Sequence, residues 1–249
     1  MMATIYLNSK NYNYIILFHD YYCSVQPLAP TCPHLIGKVF GPGIDKLVSL
    51  GLPAENLEFA GQSAGAHIVA SVIENMVTPV KLLIGFDPGC ALTDFRRGLA
   101  QFTIALRSDS TNSGNINWNA DLELIVNGGI RYQPGCEELE SQMSCSHLFV
   151  EPVWKSIFEN QGQGLFYGVR CNEIECDYSD IKEIIPNLRE KGTYYFKTSD
   201  SYPFGLGLDG IKNITPTKNS TFKFDWEFAS IFMKHTQESW LSQLIFHFD

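Results

Sequence analysis

Short apolar runs alternate with amphipathic stretches along the first half of the chain. Tyr14 to Phe18, Val80 to Phe86 and Gln101 to Leu106 are nearly continuous apolar runs. Such runs are typical of strands that are buried on both faces of a parallel sheet. Leu35 to Leu50 has apolar residues at helical spacing, although Gly41-Pro42-Gly43 predicts a kink or a restart of the helix. The alternation of strand and helix predicts an α/β fold with a mostly parallel sheet flanked by helices.

The second half of the chain has weaker patterns. Leu148 to Phe158 carries apolar residues on one helical face, with an interruption predicted near Pro152. Gly192 to Phe204 predicts a strand, and Phe222 to Phe228 alternates as F-K-F-D-W-E-F, which is typical of a strand with one buried face. Phe246 to Asp249 carries no pattern that favours either helix or strand.

The segment Leu57 to Val69, L-E-F-A-G-Q-S-A-G-A-H-I-V, begins as an apolar run and continues at helical spacing. Between the two lies a G-x-S-x-G motif formed by Gly61, Ser63 and Gly65, which is typical of a nucleophile elbow. The glycines let strand and helix pass closely, so Ser63 is predicted to be an exposed nucleophile. The backbone N–H of Ala64 is predicted to stabilise an oxyanion. The motif also occurs by chance in Gly-rich loops, but the flanking strand and helix favour catalysis.

A nucleophilic serine needs a base, and the base needs an orienting carboxylate. In α/β-hydrolases these follow the serine in the order Asp or Glu, then His. Asp87 ends a predicted strand after Ser63, and His147 is the only histidine between His67 and His235. The predicted triad is therefore Ser63, Asp87 and His147.

Other interpretations of these polar residues stay open. Asp87 is equally compatible with a strand-end turn that includes Pro88 and Gly89. His147 is also compatible with a polar residue in a loop that a disulfide constrains. His67 lies one helical turn after the nucleophile and is predicted to pack behind the elbow. The remaining histidines, His19, His34, His235 and His247, are predicted to be surface or structural residues.

Length, charge and composition exclude several classes of function. A chain of 249 residues fits one domain spanning 1–249. Its formal net charge of -9, from 18 Lys and Arg against 27 Asp and Glu, argues against nucleic acid as a partner. No apolar run approaches the roughly 18 residues that span a bilayer, so no transmembrane segment is predicted. No H-E-x-x-H or C-x-x-C spacing is present, so neither a metal nor a cofactor is predicted.

Cysteine spacing favours an oxidising compartment. Two pairs that each bracket a short loop are predicted to form disulfides: Cys136 with Cys145 and Cys171 with Cys176. Cys23 pairs either with Cys32 or with a partner missing upstream, and Cys90 is left over from the seven cysteines. Local disulfides are typical of secreted proteins. N-glycosylation sequons begin at Asn213 and Asn219, although Pro216 weakens the first.

Several segments together resemble the pancreatic-lipase family, including its insect phospholipase A1-like and yolk-protein-like branches. The matching segments are Gly51 to His67, Ile84 to Gly89, Asn127 to Cys136 (N-G-G-I-R-Y-Q-P-G-C), Cys145-Ser146-His147 and Gly192 to Phe204. They follow the family order over about residues 12–205, and 206–249 form a divergent tail. The resemblance implies an α/β-hydrolase fold, with Ser63, Asp87 and His147 at the triad positions and Ala64 at one of two oxyanion donors.

The chain also departs from the family pattern. Gln62 replaces the usual histidine before the nucleophile, Ala64 replaces a commoner leucine, and Arg107 stands in place of a non-catalytic histidine. The loop after Asp87 is shortened. Relatives carry an H-G-containing loop before the first predicted strand, which supplies the second oxyanion N–H, and residues 1–13 contain no such loop. An incomplete N-terminus is therefore expected, because loss of one oxyanion donor lowers the rate by about 10² to 10³.

The sequence thus predicts a secreted serine esterase that acts on lipid acyl esters at an interface. The loop between Cys136 and Cys145 occupies the lid position, and its shortness favours a phospholipid substrate by analogy with the family. The alternative is a lipid-binding or yolk-like storage protein that has lost catalysis. A truncated product that does not fold stably is a third possibility. Nothing in the sequence specifies an oligomeric state.

Overall fold

The computed structural model describes residues 12–17, 31–89, 94–114, 118–137, 145–217 and 242–247. The strand predicted at Phe222 to Phe228 lies outside the described residues, as do Cys23, Cys90 and the sequon at Asn219.

The described residues form a sheet of nine strands. Their bounds are β1 Tyr12–Leu17, β2 Leu57–Gln62, β3 Leu82–Phe86, β4 Phe102–Arg107, β5 Leu122–Val126, β6 Tyr167–Cys171, β7 Cys176–Glu183, β8 Gly192–Phe196 and β9 Ser242–His247. The spatial order is β1-β9-β2-β3-β4-β5-β8-β6-β7. Neighbouring strands from β2 to β8 in this order pair in parallel, so the centre of the sheet is parallel as predicted. Strand β9 and the β6–β7 hairpin add antiparallel pairs at the two sides.

Helices cover both faces of the parallel sheet. They are α1 Thr31–Ser49, α2 Ala64–Glu74, α3 Cys145–Leu148 and α4 Val150–Glu159. On one face, Ile36 of α1 and Ile68 of α2 share a buried cluster with Leu57 of β2. On the other face, Trp154 of α4 packs with Phe86 of β3. The predicted α/β class is confirmed, because side chains fully buried on each face pack against a helix.

Helix α1 runs through Pro42 without the predicted restart. Two glycines of α1 allow it to approach α2 closely. A Cβ atom on Gly37 would lie 2.4 Å from the hydroxyl of Ser71, and one on Gly41 would lie 2.7 Å from the backbone of Asn75. The two helices therefore pack backbone to backbone along this line. Pro42 is exposed on the other side of α1.

Two other predicted boundaries differ from the structure. Strand β8 ends at Phe196, and the chain then turns, so the strand predicted to reach Phe204 is shorter than expected. The predicted helix interruption falls at Phe149, between α3 and α4. Pro152 lies in the first turn of α4, where no N–H is needed for an intrahelical hydrogen bond.

Candidate active site

Ser63 occupies a strained turn between β2 and α2. Its backbone angles are φ 54° and ψ -124°, which a residue with a side chain rarely adopts. A Cβ atom on Gly61 would lie 2.3 Å from the carbonyl oxygen of Gly65, so only glycine permits this close crossing. The N–H of Ser63 donates to the carbonyl oxygen of Phe86 at 3.0 Å, and its own carbonyl accepts from Gly89 at 3.1 Å. The neighbouring strand and turn thus hold the serine in its strained conformation.

The space beside Ser63 is kept open by small groups. Ala64 is the first residue of α2, and the N–H groups of a first helical turn have no intrahelical acceptor. A Cβ atom on Gly89 would lie 3.3 Å from the backbone nitrogen of Ala64 and 3.4 Å from the hydroxyl oxygen of Ser63. Glycine at position 89 therefore leaves room at the hydroxyl of Ser63 and at the N–H group of Ala64. An N–H group at this place is suited to stabilise a developing negative charge.

Asp87 and His147 form a buried pair at the carboxyl end of β3. Oδ2 of Asp87 lies 2.6 Å from Nδ1 of His147, and the side chains are 0% and 4% exposed. The backbone N–H of Asp87 donates to the carbonyl of Leu106 at 2.7 Å, which fixes the acid to the neighbouring strand. A carboxylate at Nδ1 selects the tautomer with its proton there and leaves Nε2 as the acceptor. Nε2 of His147 is buried and has no hydrogen-bond partner among the described residues, so no described group competes for its lone pair.

Gln133 ties the segment before His147 to the ends of β4 and β5. Its side-chain amide donates to the carbonyl oxygens of Ser108 at 2.8 Å, Ile130 at 3.0 Å and Val126 at 3.2 Å. Its backbone N–H donates to the hydroxyl of Ser146 at 2.9 Å. The sequence did not assign it a role, although it lies in the N-G-G-I-R-Y-Q-P-G-C segment. The buried side chain of Gln133 therefore helps to fix the segment that precedes His147, the candidate base.

Asp109 is a second carboxylate near the candidate acid, which the sequence also did not single out. It is fully buried, and it accepts a hydrogen bond of 2.7 Å from Nη2 of Arg131. Burial raises the pKa of Asp109, the hydrogen bond from Arg131 opposes this rise, and the charge of Asp87 adds to it. Arg131 therefore compensates the charge of a carboxylate that would otherwise repel Asp87.

His67 packs behind the elbow, as predicted, and is 1% exposed. Its Nδ1 accepts from the N–H of Phe95 at 3.2 Å, so the proton lies on Nε2, which is 3.0 Å from the carbonyl oxygen of Gly89. Burial lowers the pKa of His67, the hydrogen bond to Gly89 opposes this effect, and the charge of Arg107 adds to it, which together give a pKa of about 4. Because His67 is neutral, its 3.9 Å approach to Asp94 is not an ion pair. This histidine supports the turn after Asp87 and is not placed to act as the base.

The depressed pKa of His67 predicts acid sensitivity of the fold. The unfolded chain binds a proton at this site below pH 6.5 and the native chain only below about pH 4, so stability is lost as pH falls through that window. The loss is expected to be about 3 kcal/mol in the free energy of unfolding. Urea unfolding of wild type and His67→Gln between pH 7 and pH 4 measures it, since the amide keeps a donor and an acceptor but does not titrate in this range. Equal pH dependence in the two proteins would contradict the prediction.

Arg107, which replaces the histidine of the resembled family, is a buried structural residue. Its Nε donates to Oε2 of Glu123 at 2.6 Å, and Nη2 donates to Oε1 at 3.3 Å. Oε1 of Glu123 also accepts from the N–H of Ala120 at 2.7 Å. Both charges are paired and hydrogen-bonded, as buried charges must be. The pair links β4 to β5 on the side of the sheet where His67 lies.

One cluster in the described residues has the composition of a metal site. One ligand atom each of His34, Glu74 and Asp94 lies within 4.8 Å of the others. Arg96 already pairs with the carboxylate of Glu74, and it also donates to the backbone carbonyl of Asp94 at 2.9 Å. A cation here would have to displace this guanidinium, so we assign no metal to the cluster.

Both predicted local disulfides are present. Cys136 pairs with Cys145, two residues before His147, and Cys171 pairs with Cys176 at the turn between β6 and β7. The first pairing closes the loop at the predicted lid position, of which residues 138–144 lie outside the described residues. Two disulfides are consistent with an oxidising, extracellular environment. Within the described residues, no helix has both the length and the apolar character needed to cross a membrane.

Comparison with protein-family models and with the curated proteins found no match to the chain. The family resemblance therefore rests on the motifs and their order, and it stays a prediction.

Proposed function

We propose that the protein is a serine carboxylic ester hydrolase with an α/β-hydrolase fold. The observation that carries this proposal is the buried 2.6 Å contact between Asp87 and His147. It forms at the end of β3, the parallel neighbour of the strand that leads into the strained turn at Ser63. Ser63 and Asp87 lie just after the carboxyl ends of the neighbouring parallel strands β2 and β3, and His147 lies in α3. That edge is where open α/β sheets bind their ligands.

Each group has a role in acyl transfer. Nε2 of His147 takes the proton of the Ser63 hydroxyl as its oxygen attacks the ester carbonyl, and Asp87 stabilises the imidazolium that forms. The N–H of Ala64 donates to the oxyanion of the tetrahedral intermediate. His147 then protonates the departing alcohol oxygen. Water then attacks the acyl-enzyme while His147 takes its proton. The proton returns to the Ser63 oxygen as the carboxylic acid is released.

Lipid acyl esters are the substrate class that the surroundings favour. Ile130 and Tyr132, on either side of Arg131, are 42% and 60% exposed, so their apolar side chains are accessible to a lipid chain. The short disulfide-closed loop before His147 favours a phospholipid by analogy with the resembled family. The two disulfides support a secreted enzyme.

A fluorophosphonate probe tests the esterase proposal directly. Wild type is expected to be labelled on Ser63 and to hydrolyse acyl esters, and Ser63→Ala is expected to do neither while its unfolding transition stays unchanged. Hydrolysis of phosphatidylcholine vesicles and of triglyceride emulsion, compared on the same protein, distinguishes the two lipid classes. Absence of labelling in the folded wild-type protein would contradict the proposal.

A lipid-binding or storage protein without catalysis is the second candidate. It is favoured by the absence of a hydrogen bond to Nε2 of His147 among the described residues, where an assembled triad would have Ser63 as partner. In addition, Ala64 is the only oxyanion donor that we assign. Cosedimentation with lipid vesicles by a folded protein that reacts with no fluorophosphonate would support this candidate over the esterase.

A further inference from the structure

Ser108, the residue after β4, contacts both the candidate acid and the segment that carries the candidate base. Its backbone N–H donates to Oδ1 of Asp87 at 3.3 Å. Its hydroxyl donates to the carbonyl oxygen of Ser146 at 2.6 Å, and Ser146 directly precedes His147. One residue thus bridges the acid and the chain that holds the base.

These contacts lie in the protein interior. Ser108 and Ser146 are both 0% exposed, so water does not compete for the hydrogen bond between them. The hydroxyl-to-carbonyl distance is at the short end of the usual range for such bonds. A buried hydrogen bond of this kind restricts how far the backbone before His147 can move relative to β4.

The two bonds of Ser108 are separable by mutation. The backbone N–H remains in an alanine variant, so Asp87 keeps its contact at Oδ1. Only the hydroxyl is lost, and with it the direct link from the end of β4 to Ser146. The acid then stays oriented while the base loses one of its supports.

We propose that Ser108 is a positioning residue for ester hydrolysis, which sets the placement of His147 against Asp87. This role rests on the proposed esterase function. Ser108 acts through the imidazole and contacts no substrate, so its loss changes the geometry of proton transfer and leaves substrate binding intact. The expected signature is a lower kcat with an unchanged KM.

Three variants test this assignment. Ser108→Ala removes one oxygen atom, and Ser108→Thr keeps the hydroxyl. Ser156→Ala is the matched control, because Ser156 is also 0% exposed and donates through its hydroxyl to a backbone carbonyl, that of Pro203, at 2.5 Å. Kinetic constants for p-nitrophenyl butyrate are measured together with the far-downfield proton resonance of the Nδ1–H of His147, which reports the bond to Asp87.

Ser108→Ala is expected to lower kcat roughly 3- to 10-fold, the equivalent of one net hydrogen bond, and to shift or broaden the resonance. Ser108→Thr is expected to restore both. Ser156→Ala is expected to lose as much thermal stability as Ser108→Ala with no change in kcat or resonance. Wild-type kcat and an unshifted resonance in Ser108→Ala would overturn the assignment, as would an equal fall in kcat in the control.

The resonance also separates this inference from the esterase proposal. If wild type reacts with no fluorophosphonate and hydrolyses no ester, the esterase proposal fails. The Nδ1–H signal does not require turnover, so its shift or broadening in Ser108→Ala and its restoration in Ser108→Thr still support the positioning role. An unchanged signal in such an inactive protein overturns it.

Discussion

Replacement of Asp87 with asparagine is expected to lower kcat for ester hydrolysis by about 10⁴-fold. Oδ1 of Asp87 accepts from the N–H of Ser108 at 3.3 Å, and Oδ2 lies 2.6 Å from Nδ1 of His147. An asparagine amide at this site turns its oxygen to the Ser108 N–H, which places its NH₂ group at the imidazole. Nδ1 must then accept, so Nε2 carries the proton and cannot take one from Ser63. The asparagine also lacks the charge that stabilises the imidazolium.

Steady-state kinetics and fluorophosphonate labelling rates of Asp87→Asn measure this effect. Asp109→Asn is the matched control, because Asp109 is an equally buried carboxylate that bonds to Arg131. It is expected to lose some stability and far less kcat. If Asp109→Asn instead caused the large loss and Asp87→Asn the small one, the acid of the site would be Asp109.

Much of the candidate site could be predicted because its signals are local. The crossing at Ser63 needs glycines at fixed positions on either side, so Gly61 and Gly65 mark it in the sequence. Asp87 follows an apolar run that forms β3. Polar residues at the carboxyl ends of buried strands meet at one edge of a parallel sheet, so this position favours a site residue. The two disulfides were predicted for a similar reason, since each closes a loop of only a few residues.

The parts that sequence did not predict depend on contacts between distant segments. Strand β9 lies between β1 and β2, although a short apolar run so far along the chain indicates neither its pairing nor its position. Strand β5 is not predicted because Glu123 interrupts its apolar run, and the buried charge of Glu123 is compensated by Arg107 on the neighbouring strand. The role of Ser108 likewise depends on contacts with Asp87 and Ser146, which are distant in the sequence. No sequence motif indicates that these residues meet.

The largest effect on stability is expected from Gly61→Ala. The added Cβ would lie 2.3 Å from the carbonyl oxygen of Gly65 and 2.4 Å from its carbonyl carbon, and both are backbone atoms that no side-chain rotation can move. Strand β2 and helix α2 must separate to accommodate it. Because the strand and the helix are both buried where they cross, the free energy of unfolding is expected to fall by about 3 kcal/mol. Urea unfolding measures the loss, with fluorophosphonate labelling as a report on the elbow.

Gly43→Ala makes the same chemical change where the structure has space for it. Gly43 lies within α1, and outside its own helical turn no atom of the described residues lies within 4 Å of its ideal Cβ position. Alanine there is expected to raise the free energy of unfolding by about 0.5 to 1 kcal/mol, because it restricts the unfolded chain and favours helix. Opposite signs at the two positions would show that the cost at Gly61 comes from the crossing of strand and helix. A Gly61→Ala protein as stable as wild type, with normal labelling of Ser63, would contradict the elbow geometry on which the candidate site depends.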